Sequence, residues 1–238
     1  MKKQYIYSEQ SSLWGEPECL GFGTDDFYIK EIDKKKSNKI IIDNHYSKKV
    51  AGFATTYIYL GVFYKENLLG SLQYGFCMNP ASAKNIVTGT GIYEHLELNR
   101  MWLSDEIKIK YPESQAISYS IKYIKRKYPK IKWIQSFADE RCGGFGIVYQ
   151  ACSFNYYGEH LSEFYELDGM TFHKIALTNL ADNRASYKYI RENKDRAIKK
   201  KLRQFRYIKF LDQREKKKCT LKEQPYPKHY KENVERNK

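Results

Sequence analysis

The sequence contains no run of eighteen or more apolar residues, which excludes a conventional membrane-spanning helix. The basic start, Met1-Lys2-Lys3-Gln4-Tyr5, is not followed by a long apolar stretch, so no secretory leader is expected. Cysteine is sparse. Cys19, Cys77, Cys142, Cys152 and Cys219 are odd in number, scattered, and never spaced C-x-x-C. That pattern argues against a disulfide framework and against a zinc site of familiar spacing, and free thiols fit a reducing cytoplasm. No internal repeat is present. What is present is a chain of 238 residues with 42% hydrophobic content, enough for one sizeable packed domain plus an appendage.

Charge is the next asymmetry. The net charge is +14. Residues 184–238 hold 20 Lys and Arg against 7 Asp and Glu, whereas the rest of the chain holds 22 against 21. Concentrated positive charge recruits polyanions by releasing their counterions, so nucleic acid is the expected partner. The plain alternative is a solvated lysine-rich face. A chain rich in Lys, Tyr, Ile and Asn also suits a low-GC genome, although that bias does not explain the local deficit of Glu.

The hydrophobic pattern orders the elements. Lys36 to Tyr46 reads as a helix ending at His45-Tyr46. Thr55 to Tyr64 and Leu68 to Met78 read as a β-hairpin around Lys65-Glu66-Asn67, and Tyr93 to Leu103 as a third strand. Pro112-Glu113-Ser114 opens a helix whose Ile117, Ile121, Ile124 and Tyr128 recur at helical spacing, and Pro129 closes it. Ile131 to Phe137 reads as a buried strand and Gly143 to Ala151 as a helical piece. Asn155 to Leu167 and Met170 to Leu177 read as strands joined by Asp168-Gly169. From Asn183 to Lys218 the stripe Ile190, Ile198, Leu202, Phe205, Ile208, Leu211 predicts one long basic helix. The order α, β, β, β, α, β, α, β, β predicts an α+β, GNAT-like acetyltransferase fold. Its mixed sheet is flanked by helices and splayed open between the fourth and fifth strands, and an N-terminal strand would complete it. The expected organisation is an N-terminal segment (1–36), a catalytic core (37–182) and a basic helical C-terminal extension (183–238).

Five stretches carry a family likeness: Asn44-His45-Tyr46-Ser47, Glu97-Leu98-Asn99-Arg100-Met101-Trp102-Leu103, Glu113-Ser114, Ser136-Phe137-Ala138-Asp139 and Ile147-Val148-Tyr149-Gln150-Ala151. Together with Arg206-Tyr207-Ile208-Lys209-Phe210-Leu211 and Pro225-Tyr226-Pro227-Lys228, this ordered set resembles the phage Mom family of adenine-modifying proteins, from about residue 37 to 228. The resemblance implies conversion of adenine N6 in double-stranded DNA to a carbamoylmethyl-type adduct that protects phage DNA from restriction in the host bacterial cytoplasm. It implies functional roles for His45, Tyr46, Arg100, Ser114, Asp139 and Tyr149. Acetyl-coenzyme A and iron are the cofactors it brings into consideration, and no membrane is involved. A dimer is compatible with it. One departure matters. Relatives carry a Gly-His pair between the aspartate and the tyrosine, but this chain reads Glu140-Arg141-Cys142-Gly143-Gly144-Phe145-Gly146.

Each of these residues also has a chemical reading of its own. Asp139, at the end of a buried strand, would point into a crevice and suit a general base, or else cap the following turn. Tyr149 suits a proton donor to a leaving group, or an aromatic core contact. Ser114 at a helix N-terminus suits an anion, and Arg100 a phosphate or carboxylate; Arg100 could equally pair with Glu97 or Asp105. His45 and Tyr46 could hold a base, move a proton or ligate a metal, and His45 could simply be a cap. Neighbours on a helix do not face each other, so the two are not expected both to be ligands without help from the loop. A His45–Asp139 set with a tyrosine would suit iron. Lys199, Lys200, Lys201, Arg203 and Arg206 are the expected phosphate grip. Two other functions fit the same fold: N-acyl transfer to RNA or small amines, and non-catalytic DNA binding that masks restriction sites.

Overall fold

The computed structural model describes residues 5–9, 18–46, 56–77, 79–140 and 144–227. Ser47, Arg141-Cys142-Gly143 and Lys228 lie outside them. No helix among the described residues is long and apolar enough to cross a membrane. The chain divides into two compact units that interleave along the sequence. One comprises 1–136, 148–155 and 208–222; the other comprises 137–147, 156–207 and 223–238.

The first unit carries β1 (Tyr5–Glu9), β2 (Glu18–Gly23), β3 (Phe27–Glu31), α1 (Lys34–Asn44), β4 (Thr56–Tyr64), β5 (Asn67–Gly75), β6 (His95–Leu103) and α2 (Pro112–Lys127). It also holds the first residues of β7 (Trp133–Asp139) and most of α3 (Ile147–Ala151). Its strand order is β1-β2-β3-β4-β5-β6-β7. The first six strands pair antiparallel, and β6 pairs parallel with β7. The β4–β5 hairpin turns through Lys65 and Glu66, both left-handed. α2 begins with Pro112 and Glu113 and ends with Lys125, Arg126 and Lys127, a charge order that suits the helix dipole. The N-terminal segment supplies three strands where one was expected.

The parallel ladder is short. It joins His95 to Trp133, Leu96 to Ile134 and Glu97 to Gln135, and stops there. Residues 98–103 continue β6 against β5. This is the break between the fourth and fifth core strands that the element order predicts, and it makes the layout α+β with a mixed, splayed sheet of the acetyltransferase type. A buried stack fixes its base. The His95 ring lies 4.9 Å from the Trp133 ring at 21°. Trp133 Nε1 donates to Thr90 Oγ1 at 3.2 Å, and the His95 nitrogens approach Gly91 O and Cys77 Sγ, each at 3.5 Å.

The second unit has the strand order β10-β8-β9, formed by β10 (Ile198–Phe210), β8 (Asn155–Leu167) and β9 (Met170–His173). α4 (Ile175–Thr178) and α5 (Ala185–Glu192) cover Tyr165, Leu167, Phe172, Ala176 and Ile190 in one apolar cluster. Two expectations fail here. The strand expected over Met170–Leu177 gives way to α4 after His173. The long basic helix over Asn183–Lys218 is α5 followed by strand β10. The apolar stripe was compatible with both periods. The local composition Phe205-Arg206-Tyr207-Ile208-Lys209-Phe210 is aromatic and β-branched, and cross-strand partners favour the strand. Tyr156 of β8 packs against Tyr207 at 5.3 Å between centroids and Phe205 at 6.4 Å.

His95 is fully buried, and burial holds its pKa below the ordinary value. A depressed pKa means that the unfolded chain binds the extra proton first. The stability contributed by neutral His95 is therefore present above pH about 6.5 and declines as the pH falls through the folded-state pKa. Thermal melts between pH 7.5 and 5.0 should show a larger loss for the wild type than for His95→Gln. Equal slopes would contradict the assignment.

Candidate active site

The sequence-predicted residues fall in three groups. The first lies beside α1. Its seat on β5 is polar: Ser37 Oγ and Ser71 Oγ are 2.7 Å apart, and Gln73 Nε2 donates to Ser37 Oγ (2.9 Å) and Asn38 Oδ1 (3.0 Å). The helix stops at Asn44. His45 is already extended, with φ −70° and ψ 140°, and its N–H still donates to Ile41 O. The separation expected of helix neighbours does not apply, since His45 is off the helix. Because His45 has left the helix, the rings approach to 4.2 Å between centroids. His45 is buried, whereas Tyr46 is 56% exposed. Arg100 sits directly across from Gln73 in the β5–β6 register, so it shares the face that receives α1. Arg100 Nη1 donates to Asn99 O at 2.5 Å.

The second group lies on the α2 side. Tyr149, on α3, is buried against Phe154. Three residues later Cys152 ties α3 to the first turn of α2: its Sγ donates to Ser114 O at 3.2 Å and receives the Ser118 hydroxyl at 3.7 Å. Burial pushes the Cys152 thiol up in pKa. Lys209 Nζ donates to the carbonyls of Cys152 (3.0 Å) and Ser153 (3.1 Å), and burial pulls the ammonium down. Fully buried Tyr74 meets Ser120 Oγ at 2.5 Å, and its pKa is raised first by burial, with Cys152 and Tyr149 adding to the rise. Tyr74, Ser118, Cys152 and Lys209 thus hold the Ser114–Tyr149 neighbourhood. Sequence reasoning missed them because single Tyr, Ser, Cys and Lys residues in different elements carry no spacing signal.

The α2 turn is not shaped as a pyrophosphate cradle. Tyr111 takes the left-handed conformation, φ 54°, that glycine would normally supply, and its side chain caps nothing. Pro112 removes one amide, and Glu113 adds negative charge. These residues do not fit coenzyme A at this turn. Iron finds no support either: among the described residues no group of three or more His, Cys, Asp and Glu side chains could hold a metal ion.

The third group belongs to the second unit. Asp139 is the buried last residue of β7. The five basic residues lie on β10 rather than on a helix, and three are engaged with carboxylates. Lys199 meets Glu163 at 2.7 Å, and Lys200 meets Glu166 at 2.6 Å. Arg203 holds Glu140 through Nε (3.0 Å), Nη2 (2.7 Å) and its backbone N–H (2.7 Å). The hydrogen bonds from Lys174 and Lys199 hold the Glu163 carboxyl down at about 2. Lys201 lines a cavity of about 430 Å³ with Leu161, Ser162, Glu163, His173 and Lys174. Gly146, at φ +82°, lies under Tyr207, whose hydroxyl donates to Phe145 O.

The model of the Mom protein family matches residues 26–228 of this chain. The methylcarbamoylase Mom of Escherichia phage Mu is 40% identical over 230 residues, covering 95% of this chain and 94% of that protein. Two solved acetyltransferase structures are also similar. The ribosomal-protein-S5-alanine acetyltransferase from Vibrio fischeri has a TM-score of 0.48 at 12% identity and covers 81% of this chain and 97% of that one. Arabidopsis thaliana NAA60 in complex with acetyl-CoA has a TM-score of 0.49 at 9% identity, covering 78% and 99%.

Lys209 places a charge where α3 ends and two carbonyls need donors. Lys209→Met should cost about 1–3 kcal/mol in urea unfolding. Exposed Lys217→Met is the control, and a cost no larger than the control's would remove Lys209 from this role.

Proposed function

The chain belongs to the Mom protein family, and from that membership we propose that it modifies adenine in double-stranded DNA. The product is a carbamoylmethyl-type adduct on the exocyclic N6, and it protects phage DNA from restriction in the host bacterial cytoplasm. One observation carries this reading: near full-length identity of 40% to a phage Mu protein named a methylcarbamoylase.

The chemistry sets the demands. Adenine N6 is a weak nucleophile because its lone pair is delocalised into the ring, and in a duplex it is stacked and paired. The enzyme must extrude the base or act on an opened strand. It must also make a bond from N6 to a CH2 carbon; plain acyl transfer would give an N-acyl adenine instead. In the proposed mechanism N6 attacks the CH2 carbon of an activated carbamoylmethyl donor, the N6–C bond forming as the bond from that carbon to its leaving group breaks; Asp139 accepts the N6 proton, and a carboxylate at the buried end of a strand suits that role. Tyr149 delivers a proton to the leaving group from its buried phenol. His45 and Tyr46 offer two close rings, one exposed, to hold or orient substrate, and Arg100 pairs with an anionic group of it. On β10, Lys201 is a better phosphate contact than Lys199, Lys200 and Arg203, which already meet carboxylates.

Mass spectrometry of nucleosides from the DNA of expressing cells tests the proposal. The wild type should yield the modified deoxyadenosine. Tyr149→Phe and Asp139→Asn should each lower its yield by about 100-fold or more while retaining DNA binding. Only ordinary deoxyadenosine from wild-type cells would sink the proposal. Unchanged nucleosides with tight, salt-sensitive DNA binding would then point to a masking protein, and acetyl transfer to RNA or amines to a different acceptor.

A further inference from the structure

The second unit carries a cluster on one face of its sheet, of which the proposed chemistry uses only Asp139. Side chains two apart on a strand share a face. Phe137 and Asp139 therefore lie on one face of β7, while Ala138 faces Gly146 on the other. On the Phe137 side, the Arg206 guanidinium stacks 5.0 Å from the Phe137 ring, and the His160 ring meets it edge-on at 5.5 Å. Gln204 is two residues from Arg206 on β10 and shares its face. Ser162 donates to Gln204 Oε1 at 3.0 Å, and the Gln204 amide also hydrogen-bonds His160, so it is oriented on this face. The opposite face of β10 is different, with Phe205 and Tyr207 buried against Tyr156. Burial first, and then Arg206, hold the His160 pKa below its usual value, against the opposing effect of its hydrogen bond with Gln204.

This combination has a specific chemical meaning. A planar cation over an aromatic ring makes a stacking platform, and base–aromatic stacking is sequence-tolerant. An oriented amide beside the platform reads a base edge, as glutamine does with adenine N6 and N7. A carboxylate on the same face accepts from an exocyclic amine. A phosphate-only surface would need none of the aromatic, amide or carboxylate groups.

We propose that the Phe137–His160–Gln204–Arg206 face binds the extruded adenine nucleotide, with Phe137 and Arg206 stacking on the base and Gln204 reading its edge toward Asp139. The inference rests on adenine being the target and assigns the residues that select it.

The test uses the full-length protein and two fluorescein-labelled duplexes. In one, a central adenine faces an abasic site and is extruded at little cost. In the other, that adenine is itself replaced by an abasic nucleoside. Anisotropy titrations should give wild-type protein about tenfold tighter binding to the adenine duplex, the factor that about 1.4 kcal/mol of stacking supplies. Phe137→Leu should erase that preference without weakening binding to the abasic duplex. Gln204→Leu, which lies outside the core, should reduce the preference several-fold and narrow the discrimination between adenine and guanine at that position. The proposal is overturned if both variants, folded by circular dichroism, keep the wild-type preference, or if they weaken both duplexes equally. The two readings fail separately. Adduct formation by the wild type with unchanged preference in the variants removes this face and leaves the activity. A base preference lost in the variants, with no adduct from the wild type, keeps the face and removes the activity.

Discussion

The organisation of the first unit depends on where β6 and β7 cease to pair. Three residues of each strand form a parallel ladder, anchored by the buried His95–Trp133 stack, and then the ladder ends. Backbone amides and carbonyls need partners. Past Glu97 those on the β7 side of β6 are no longer met by a ladder; Leu98 O instead receives the Ser136 hydroxyl at 3.5 Å. A sheet that stops pairing within itself leaves strand ends and oriented polar groups available for other chemistry. In the same unit Cys152 ties α3 to the first turn of α2, and Lys209 closes the end of α3.

Charge behaves differently from its first appearance. The C-terminal excess of Lys and Arg is real, but much of it is spent locally. Lys199, Lys200 and Arg203 each meet a glutamate of the second unit, and Arg214 is held by Asp212. Exposed pairs of this kind contribute little to stability. Their larger consequence is for recognition, because an engaged cation is a poorer phosphate contact than its count suggests. What distinguishes the second unit is the mixture on one face of its sheet of aromatic ring, guanidinium, amide and carboxylate.

Much of the fold was legible because hydrophobic period and punctuation agreed. Pro112 and Pro129 bracket α2, the Lys65–Glu66 turn sits in its hairpin, and Asp168-Gly169 joins β8 to β9. The failure at β10 is instructive. Ile198, Leu202, Phe205, Ile208 and Leu211 satisfy a helical stripe, while Phe205 and Tyr207 equally satisfy alternation. Period alone cannot decide between them, and the neighbouring β8 supplied the deciding contacts. Residues 1–30 showed no period at all, yet they contain three strands, since short strands give too few residues to display one.

The amino-acid sequence by itself determined the ordered set of motif residues, the α+β element order and the absence of a long apolar run. These are local or linear properties, set by residue identity and spacing. Tertiary structure alone decided that His45 leaves its helix to meet Tyr46, that Arg100 shares the α1 face while Ser114 is tied to the Tyr149 helix, and that Phe137, Gln204 and Arg206 share one face. Each depends on side chains distant in sequence or on the backbone angle of a single residue. Contacts of that kind are fixed by packing and hydrogen-bond satisfaction, which no linear pattern encodes.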